Sequence, residues 1–155
     1  MLAELERHPH ARAEALLYAA ARAQLVEQRL RPLLEAGAFV LLDRFVDSSL
    51  VYQGAGRELG IDAVRAINAF ATGGLTPDRT LLLDLAPELA RGRSDARGAL
   101  PDRIEQEGED FFARTAAAYR RLAAAEPERI RVLDATLAPG ELLAEALGAI
   151  GDLLV

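Results

Sequence analysis

Hydrophobic and polar positions alternate between helical and strand-like spacing from the start of the chain. Residues 14–35 carry apolar side chains at helical intervals, and Gly37 follows as a candidate C-terminal cap. Pro32 lies within this stretch and should kink or tighten the helix. The next apolar run, Phe39 to Leu42, is short and unbroken, which is typical of a strand buried on both faces. The apolar positions of the first helix are Leu16, Leu17, Ala20, Leu25, Val26, Leu30 and Leu33.

The alternation continues to the end of the chain. Ile61, Val64, Ile67, Phe70 and Ala71 have helical spacing, and this helix should stop at the following Gly73-Gly74 pair. Two further strands are predicted at 80–85 and 129–134, and further helices from Pro87, over 109–125 and over 139–154. Because strands that are apolar on both faces alternate with helices, the pattern predicts an α/β fold with a parallel sheet covered by helices.

Composition narrows the possible classes of protein. With 155 residues, 51% hydrophobic and 27% charged, the chain is long enough for one domain with a core, and no repeat or linker divides it. The absence of cysteine excludes disulfides, a zinc ribbon and thiol catalysis. No apolar run approaches the ~18 residues of a membrane helix, and the first residues lack the apolar segment of a signal peptide. We therefore expect a soluble, cytoplasmic protein.

The charge distribution adds two constraints. A net charge of -6 argues against a nonspecific nucleic-acid binder, which would need a basic stripe. All 18 basic residues are arginine, a bias that a GC-rich genome would also explain. Because the sequence contains no lysine, no lysine-dependent chemistry can reside in it. His8 and His10 flank Pro9 without a cage of carboxylates, and a metal site there is not expected.

The stretch FVLLDRFVDSSLVYQGAG, residues 39–56, is the main candidate for chemistry. Asp43 and Arg44 follow the predicted strand directly, and the carboxyl ends of parallel strands border the crevice where ligands bind. An ordinary ion pair at the strand end would also account for these two residues. The polar residues that follow are Asp47, Ser48, Ser49, Tyr52 and Gln53. They exceed what a single helix cap requires and favour a binding rim. The glycines of GAGRELG, residues 54–60, predict a turn rather than a dinucleotide fingerprint, because no strand precedes them.

The stretches YAAARAQLVEQ, DRFVDSSLVYQG, INAFATGGLTPD, LLLDL, DRIEQEGEDFF and VLDAT, in this order, resemble bacterial thymidylate kinase over nearly the whole chain. The resemblance implies a P-loop nucleoside monophosphate kinase fold, with three α/β/α layers around a parallel sheet. It also implies transfer of the γ-phosphoryl group of ATP, with Mg2+, to dTMP, giving dTDP. The Tyr-Gln pair after DSSL favours this activity over that of another nucleoside kinase.

The resemblance assigns a dTMP site. It implies that thymine stacks on Tyr18 and accepts a hydrogen bond from Arg22, two residues that share a helix face. Without it, they would be a core aromatic and a solvated charge. Tyr52 would pack where deoxyribose lacks a 2′-hydroxyl. The implied substrate-binding residues are Tyr18, Arg22, Arg44, Ser48, Ser49, Tyr52 and Gln53.

The resemblance also assigns phosphate-handling residues. Asp43 would help to hold Mg2+, and Arg44 would bind the dTMP phosphate with its planar fork. The arginine-rich, glycine-rich residues 91–108 would form a lid, with Arg93 and Arg97 neutralising charge during transfer. A solvated surface loop is the alternative for that stretch. The remaining residues implied in ATP binding are Arg103, Asp134 and Ala135.

The chain departs from the family in one respect. No segment matches the phosphate loop G-x-x-x-x-G-K-[ST], the strand before it or the next strand, so the chain is expected to be an N-terminally truncated domain. We therefore predict three parallel strands and an exposed apolar patch. Two hypotheses follow: the bulk of a homodimeric dTMP kinase, or an inactive remnant that serves as a nucleotide-binding or interaction domain.

Overall fold

Helices and strands occur in two separate parts of the chain, and the helix predicted from Pro87 begins outside the described residues. The computed structural model describes residues 10–86, 89–90, 92–93 and 107–154. The backbone divides into one compact unit ending at Thr76 and another beginning at Pro77. In the described part of the chain, no helix is both long enough and apolar enough to cross a membrane.

The first unit is built on a long helix that widens once. Helix α1 spans Ala11–Leu25 and continues through a π-helical turn, Val26–Leu30, into helix α2, Arg31–Glu35. Pro32 has no N–H to donate within a helix, and the residue before it bonds to a carbonyl five positions back. The sequence predicted a kink or a tightened turn near this proline, and the observed turn is instead wider.

Both predicted helix ends of this unit are confirmed. Gly37 has φ +78° and ends the first helical segment. Helix α4, Ile61–Thr72, ends at Gly73, which has φ +57°. Only glycine adopts these values readily, because it has no Cβ. Arg31 adds a side-chain cap at the second end, since its Nη2 donates to the carbonyls of Thr72 at 3.0 Å and Gly73 at 3.3 Å.

The buried face of α1 is not its leucine-rich face. Leu16 and Leu17 are 56% and 46% exposed, whereas Ala15 and Ala19 are buried, and α1 contacts helix α4. Small side chains allow the helices to approach closely, which the apolar spacing alone did not reveal. The buried residues of the α1–α2 segment are Glu14, Ala15, Ala19, Val26 and Leu30.

The buried face of helix α4 agrees with the predicted one at Val64 but not at Phe70. Phe70 belongs to the apolar pattern, yet it is 92% exposed. The buried positions are Val64, Asn68 and Thr72, each four residues apart. A polar residue can occupy this face because the Asn68 amide has hydrogen-bond partners.

The predicted strand at Phe39 to Leu42 does not form. Phe39 is 55% and Leu41 is 83% exposed, and neither belongs to a strand. A strand is stable only when its backbone pairs with a neighbour, and the sheet in the described residues has two strands where three were predicted. Phe39 and Leu41 are exposed, as the predicted apolar patch requires, and the patch itself stays a prediction.

The polar segment after Arg44 is helical. Helix α3, Val46–Ser49, runs directly into a seven-residue π-helix, Leu50–Gly56, and a turn at 57–60 leads into α4. Gly54 makes a close approach there, since a Cβ at this position would lie 3.1 Å from the Ile61 Cα. The turn predicted at 54–60 is therefore confirmed only at 57–60, because residues 54–56 belong to the π-helix, where Gly54 allows it to pack against α4.

The second unit contains the parallel sheet. Strand β1, Thr80–Asp84, pairs in parallel with β2, Ile130–Asp134, so that Asp84 lies beside Asp134 at the carboxyl edge. Helices α5, Glu109–Ala125, and α6, Pro139–Ile150, follow the predicted positions, and a short 3-10 turn follows α6. The buried apolar residues of this unit are Phe111, Ala118, Leu122, Ala123, Ile130, Leu133 and Ala135. Exposed apolar side chains also occur here, including Leu83 and Val132.

Candidate functional site

Arg44 adopts a backbone conformation that is unusual for its residue type. Its φ is +65°, and among the described non-glycine residues only Glu58 also has a positive φ. A side chain in this region costs roughly 1 kcal/mol, and such residues concentrate at functional sites. The conformation places the Arg44 guanidinium carbon 5.0 Å from the centroid of the Tyr52 ring, a cation–π contact. Asp43, immediately before it, is exposed.

The helical segment after Arg44 separates its polar residues into buried and accessible ones. Asp47 and Ser49 are buried at 9% and 3% exposure. Ser48 and Tyr52 are half-buried and four residues apart. The structure therefore brings Arg44 and Tyr52 together, with Ser48 four residues before Tyr52. The strand expected to lead into the predicted rim does not form, and three of the predicted rim residues, Asp47, Ser49 and Gln53, are buried.

Gln53 has a buried partner that the sequence analysis missed. It is 2% exposed, and its Nε2 donates to Oε1 of Glu14 at 2.8 Å. Glu14, itself 2% exposed, also forms an ion pair with Arg57 at 3.4 Å. These contacts join the start of α1 to the π-helix. No signal in the sequence marked this contact, because a glutamate in a helical pattern suggests a solvent-facing position.

Arg22 is held by three contacts at the other end of α1. Its Nη1 donates to Asn68 Oδ1, and its Nη2 donates to the Phe45 carbonyl at 3.2 Å. The guanidinium carbon lies 5.4 Å from the centroid of the Phe45 ring. Burial lowers the pKa of the Arg22 guanidinium, and the phenol of Tyr18, one turn earlier, raises it to a smaller extent. An arginine in this setting remains charged and is oriented toward a hydrogen-bond acceptor.

Tyr18 is accessible beside Arg22. Its side chain is 42% exposed, although it lies on a helix that buries its alanines. The electrostatic interaction between the two residues agrees with their predicted common face. Together they present an aromatic surface and a fixed donor, a combination that suits a planar ring carrying carbonyl groups.

The second unit brings together two of the residues expected near ATP. Arg93 Nη1 donates to the carbonyl of Ala135 at 2.9 Å. Asp134 accepts from the Thr136 hydroxyl and backbone N–H at 2.6 and 2.8 Å, and these bonds lower the pKa of its carboxyl. Arg97 and Arg103 lie outside the described residues, as does most of the expected lid.

A further ion pair borders the same strand ends. Arg120 contacts both carboxylate oxygens of Asp84, at 3.2 and 3.3 Å, and both side chains are partly exposed. Within the described residues, no group of three or more His, Cys, Asp or Glu side chains could hold a metal ion by itself.

Known proteins provide an independent comparison. A family model described as thymidylate kinase matches residues 1–146. The chain is 47% identical over 144 residues to a thymidylate kinase of Halorhodospira halophila, covering 93% of this chain and 67% of that protein. It is 52% identical over 139 residues to one of Deinococcus radiodurans, covering 90% and 67%. For one of Clavibacter sepedonicus the identity is 50% over 148 residues, covering 96% and 70%. On this extent of match, the chain belongs to the thymidylate kinase family.

Proposed function

We propose that this chain binds dTMP and phosphorylates it to dTDP with ATP as donor. In this reaction an oxygen of the dTMP phosphate forms a bond to the γ-phosphorus of ATP, and the bond to the departing ADP breaks. The single observation that best supports the proposal is Arg44, which follows Asp43 and is held over Tyr52 in a left-handed conformation. That geometry offers a planar fork for a phosphate next to an aromatic surface for a nucleoside.

The base would lie against Tyr18 and accept a hydrogen bond from Arg22. Arg22 is suited to this role, because its contacts with Asn68 and Phe45 orient the guanidinium before any ligand arrives. A guanidinium only donates, so it favours a carbonyl and disfavours an amino group. Thymine carries two carbonyls on its ring, which agrees with the substrate proposed.

Tyr52 would select the sugar, and Arg44 would bind the phosphate. The Tyr52 ring is half-buried with Arg44 over its face, so a 2′-hydroxyl packed against it would lose hydrogen bonds to water. Ser48 is half-buried one turn before Tyr52 and offers a hydroxyl to the phosphate or base. Ser49 and Gln53 are buried, so their proposed contribution is to hold the segment in shape as well as to approach the base.

Asp43 is the candidate for the magnesium ion. Its carboxylate is exposed at the rim, and a single carboxylate suits Mg2+, which keeps several waters and binds substrate phosphates. When bound, Mg2+ would neutralise charge on the phosphates. Because the 155 residues contain no lysine, the positive charge that this chain contributes comes from arginine.

The ATP side would involve the second unit. Arg93, together with Arg97 and Arg103, would contact the phosphates, and the turn at Asp134 and Ala135 would lie by the adenine. The bond from Arg93 to the Ala135 carbonyl supports this grouping, since it places one proposed lid arginine at the proposed adenine turn. The family further supports a three-layer P-loop kinase fold, a homodimer and a cytoplasmic location.

Two measurements test the proposal. The first is dTDP formation from Mg-ATP and dTMP by the 155-residue chain, with Arg44→Ala as the paired variant. The second is calorimetric binding of dTMP to both proteins, which does not depend on turnover. We expect the wild-type chain to bind dTMP and Arg44→Ala to bind it at least about tenfold more weakly. Equal affinity in the two proteins, or no binding to the wild type, would contradict the proposed site.

A further inference from the structure

Asn68 is a buried side chain whose contacts lead to the proposed base site. It lies in the middle of α4 and is 1% exposed. Its Oδ1 accepts from Arg22 Nη1, and its Nδ2 donates to the Val64 carbonyl at 2.8 Å. Both ends of the amide are therefore engaged, one with the helix that carries it and the other with α1.

We propose that Asn68 is a positioning residue that fixes the Arg22 guanidinium for recognition of the pyrimidine base. The bond to Val64 determines the orientation of the amide, because Nδ2 must face that carbonyl. Oδ1 is then presented to Arg22. The inference rests on the proposed function, because it explains the buried asparagine by a role in binding the base.

Two other contacts make the position of Arg22 specific. The Phe45 carbonyl accepts from Nη2, and the Phe45 ring lies under the guanidinium. Asn68 approaches through the other terminal nitrogen, Nη1. The fork is thus held from α4 and from the residue after Arg44, so its plane and its rotation are both constrained. A guanidinium has five N–H donors, and two hydrogen bonds to the protein do not exhaust its capacity for a base carbonyl.

The residue type follows from this arrangement. Leucine has similar volume but no acceptor, so Arg22 would lose a partner in a partly desolvated position and could rotate about its side-chain bonds. Aspartate would keep an oxygen acceptor and add a charge that attracts Arg22. Asparagine provides an acceptor for Arg22 and a donor for Val64, and aspartate provides only the first.

The inference predicts a change in base discrimination. The variants are Asn68→Leu and Asn68→Asp, with Thr72→Val as control, because Thr72 lies one turn further along the same buried face of α4. Affinities for dTMP and dCMP are measured by calorimetry, since dCMP replaces one ring carbonyl with an amino group. We expect Asn68→Leu to lower the ratio of dTMP to dCMP affinity about tenfold, and Asn68→Asp and Thr72→Val to change it less than about twofold.

A merely structural role would give a different pattern. A loss of packing would weaken the binding of both nucleotides alike and leave the ratio of dTMP to dCMP affinity unchanged. That result would overturn the inference. In an Arg22→Ala background, Asn68→Leu should have no further effect on the ratio, because the residue that Asn68 positions is absent. A full additional loss in that background would equally overturn it.

A second cycle separates this inference from the proposed function. Urea unfolding of the wild type, Arg22→Ala, Asn68→Leu and the double variant measures whether the two side chains interact without any nucleotide. Coupled effects support the contact, and additive effects overturn it. If the wild type bound neither nucleotide, the proposed function would fail and the role in base recognition with it, whereas this cycle would still decide whether Asn68 holds Arg22.

Discussion

Replacing Glu14 by glutamine should destabilise the protein far more than the same change at Glu27. Each carboxylate pairs with an arginine, Glu14 with Arg57 at 3.4 Å and Glu27 with Arg31 at 2.9 Å. Distance alone would make the Glu27 pair the stronger one. Burial reverses the order, because the Glu14 side chain is 3% exposed and the Glu27 side chain is 65% exposed. Water screens the second pair and not the first.

The size of the effect follows from the two interactions that the substitution weakens. Glu14→Gln converts the 2.8 Å bond from Gln53 from a charge-assisted to a neutral one, a loss of about 1 kcal/mol. It also removes the charge with which Arg57, whose side chain is 19% exposed, forms its 3.4 Å ion pair, for roughly another 1–2 kcal/mol. The sum is about 2–3 kcal/mol. For Glu27→Gln an exposed pair four residues apart in sequence predicts about 0.3–0.5 kcal/mol.

Urea unfolding followed by far-UV circular dichroism measures the difference. For a denaturant slope of about 2 kcal/mol/M, Glu14→Gln should lower the midpoint by about 1–1.5 M and Glu27→Gln by about 0.2 M. Arg31 keeps its bonds to the end of α4 in the second variant, which makes it a fair control. Equal shifts in the two variants would show that burial does not govern the Glu14 pair, and the reasoning would be wrong.

Three further outcomes are expected. Leu50→Ala, at 1% exposure, should cost about 2–5 kcal/mol in urea unfolding, whereas Leu41→Ala, at 83% exposure, should stay within about 0.5 kcal/mol. Arg44→Gly should unfold at higher urea than Arg44→Ala, because glycine accepts φ +65° without the roughly 1 kcal/mol of strain, while both variants lose dTMP affinity. Thr136→Ala should raise the pKa of Asp134 toward its ordinary value in a carbon-13 NMR titration, since the hydroxyl bond is the main cause of its lowering. The folded pKa is depressed, so that bond stabilises the fold at neutral pH and is lost as the pH falls through the folded pKa; an unchanged pKa would contradict this account.

The sequence predicted the helices and two of the strands because their periodicity is strong and local. Gly37 and Gly73 marked helix ends correctly, since their role depends only on their own backbone angles. The strand at Phe39 to Leu42 failed because strand formation depends on a partner, which local apolar spacing does not encode. Phe70 was assigned to the buried face for a related reason. The prediction relied on its apolar side chain, whereas the polar Asn68 is the residue that is buried.

The candidate site was predictable in its accessible parts and not in its buried ones. Arg44 and Tyr52 stand out in the sequence, and the structure brings them together. Glu14 and Asn68 lie in helical patterns where a polar residue suggests a solvent-facing position. Their burial is possible only because side chains distant in sequence satisfy them, across 39 residues from Glu14 to Gln53 and 46 from Arg22 to Asn68. No local sequence pattern encodes contacts between side chains so far apart in the chain.

The π-helix at Leu50–Gly56 makes this segment sensitive to its residue count. A wide turn holds one more residue than an α-helical turn, so deleting Ala55 would let the backbone close into a regular helix with its hydrogen bonds intact. Residues on either side of the deletion would then rotate by about 100° relative to one another. Gln53 would turn away from Glu14, or Gly54 would turn away from Ile61. In this stretch the spacing of the side chains therefore matters as much as their identity, and an engineered or natural variant one residue shorter would keep its helix and lose either the bond between Gln53 and Glu14 or the packing of Gly54 on Ile61.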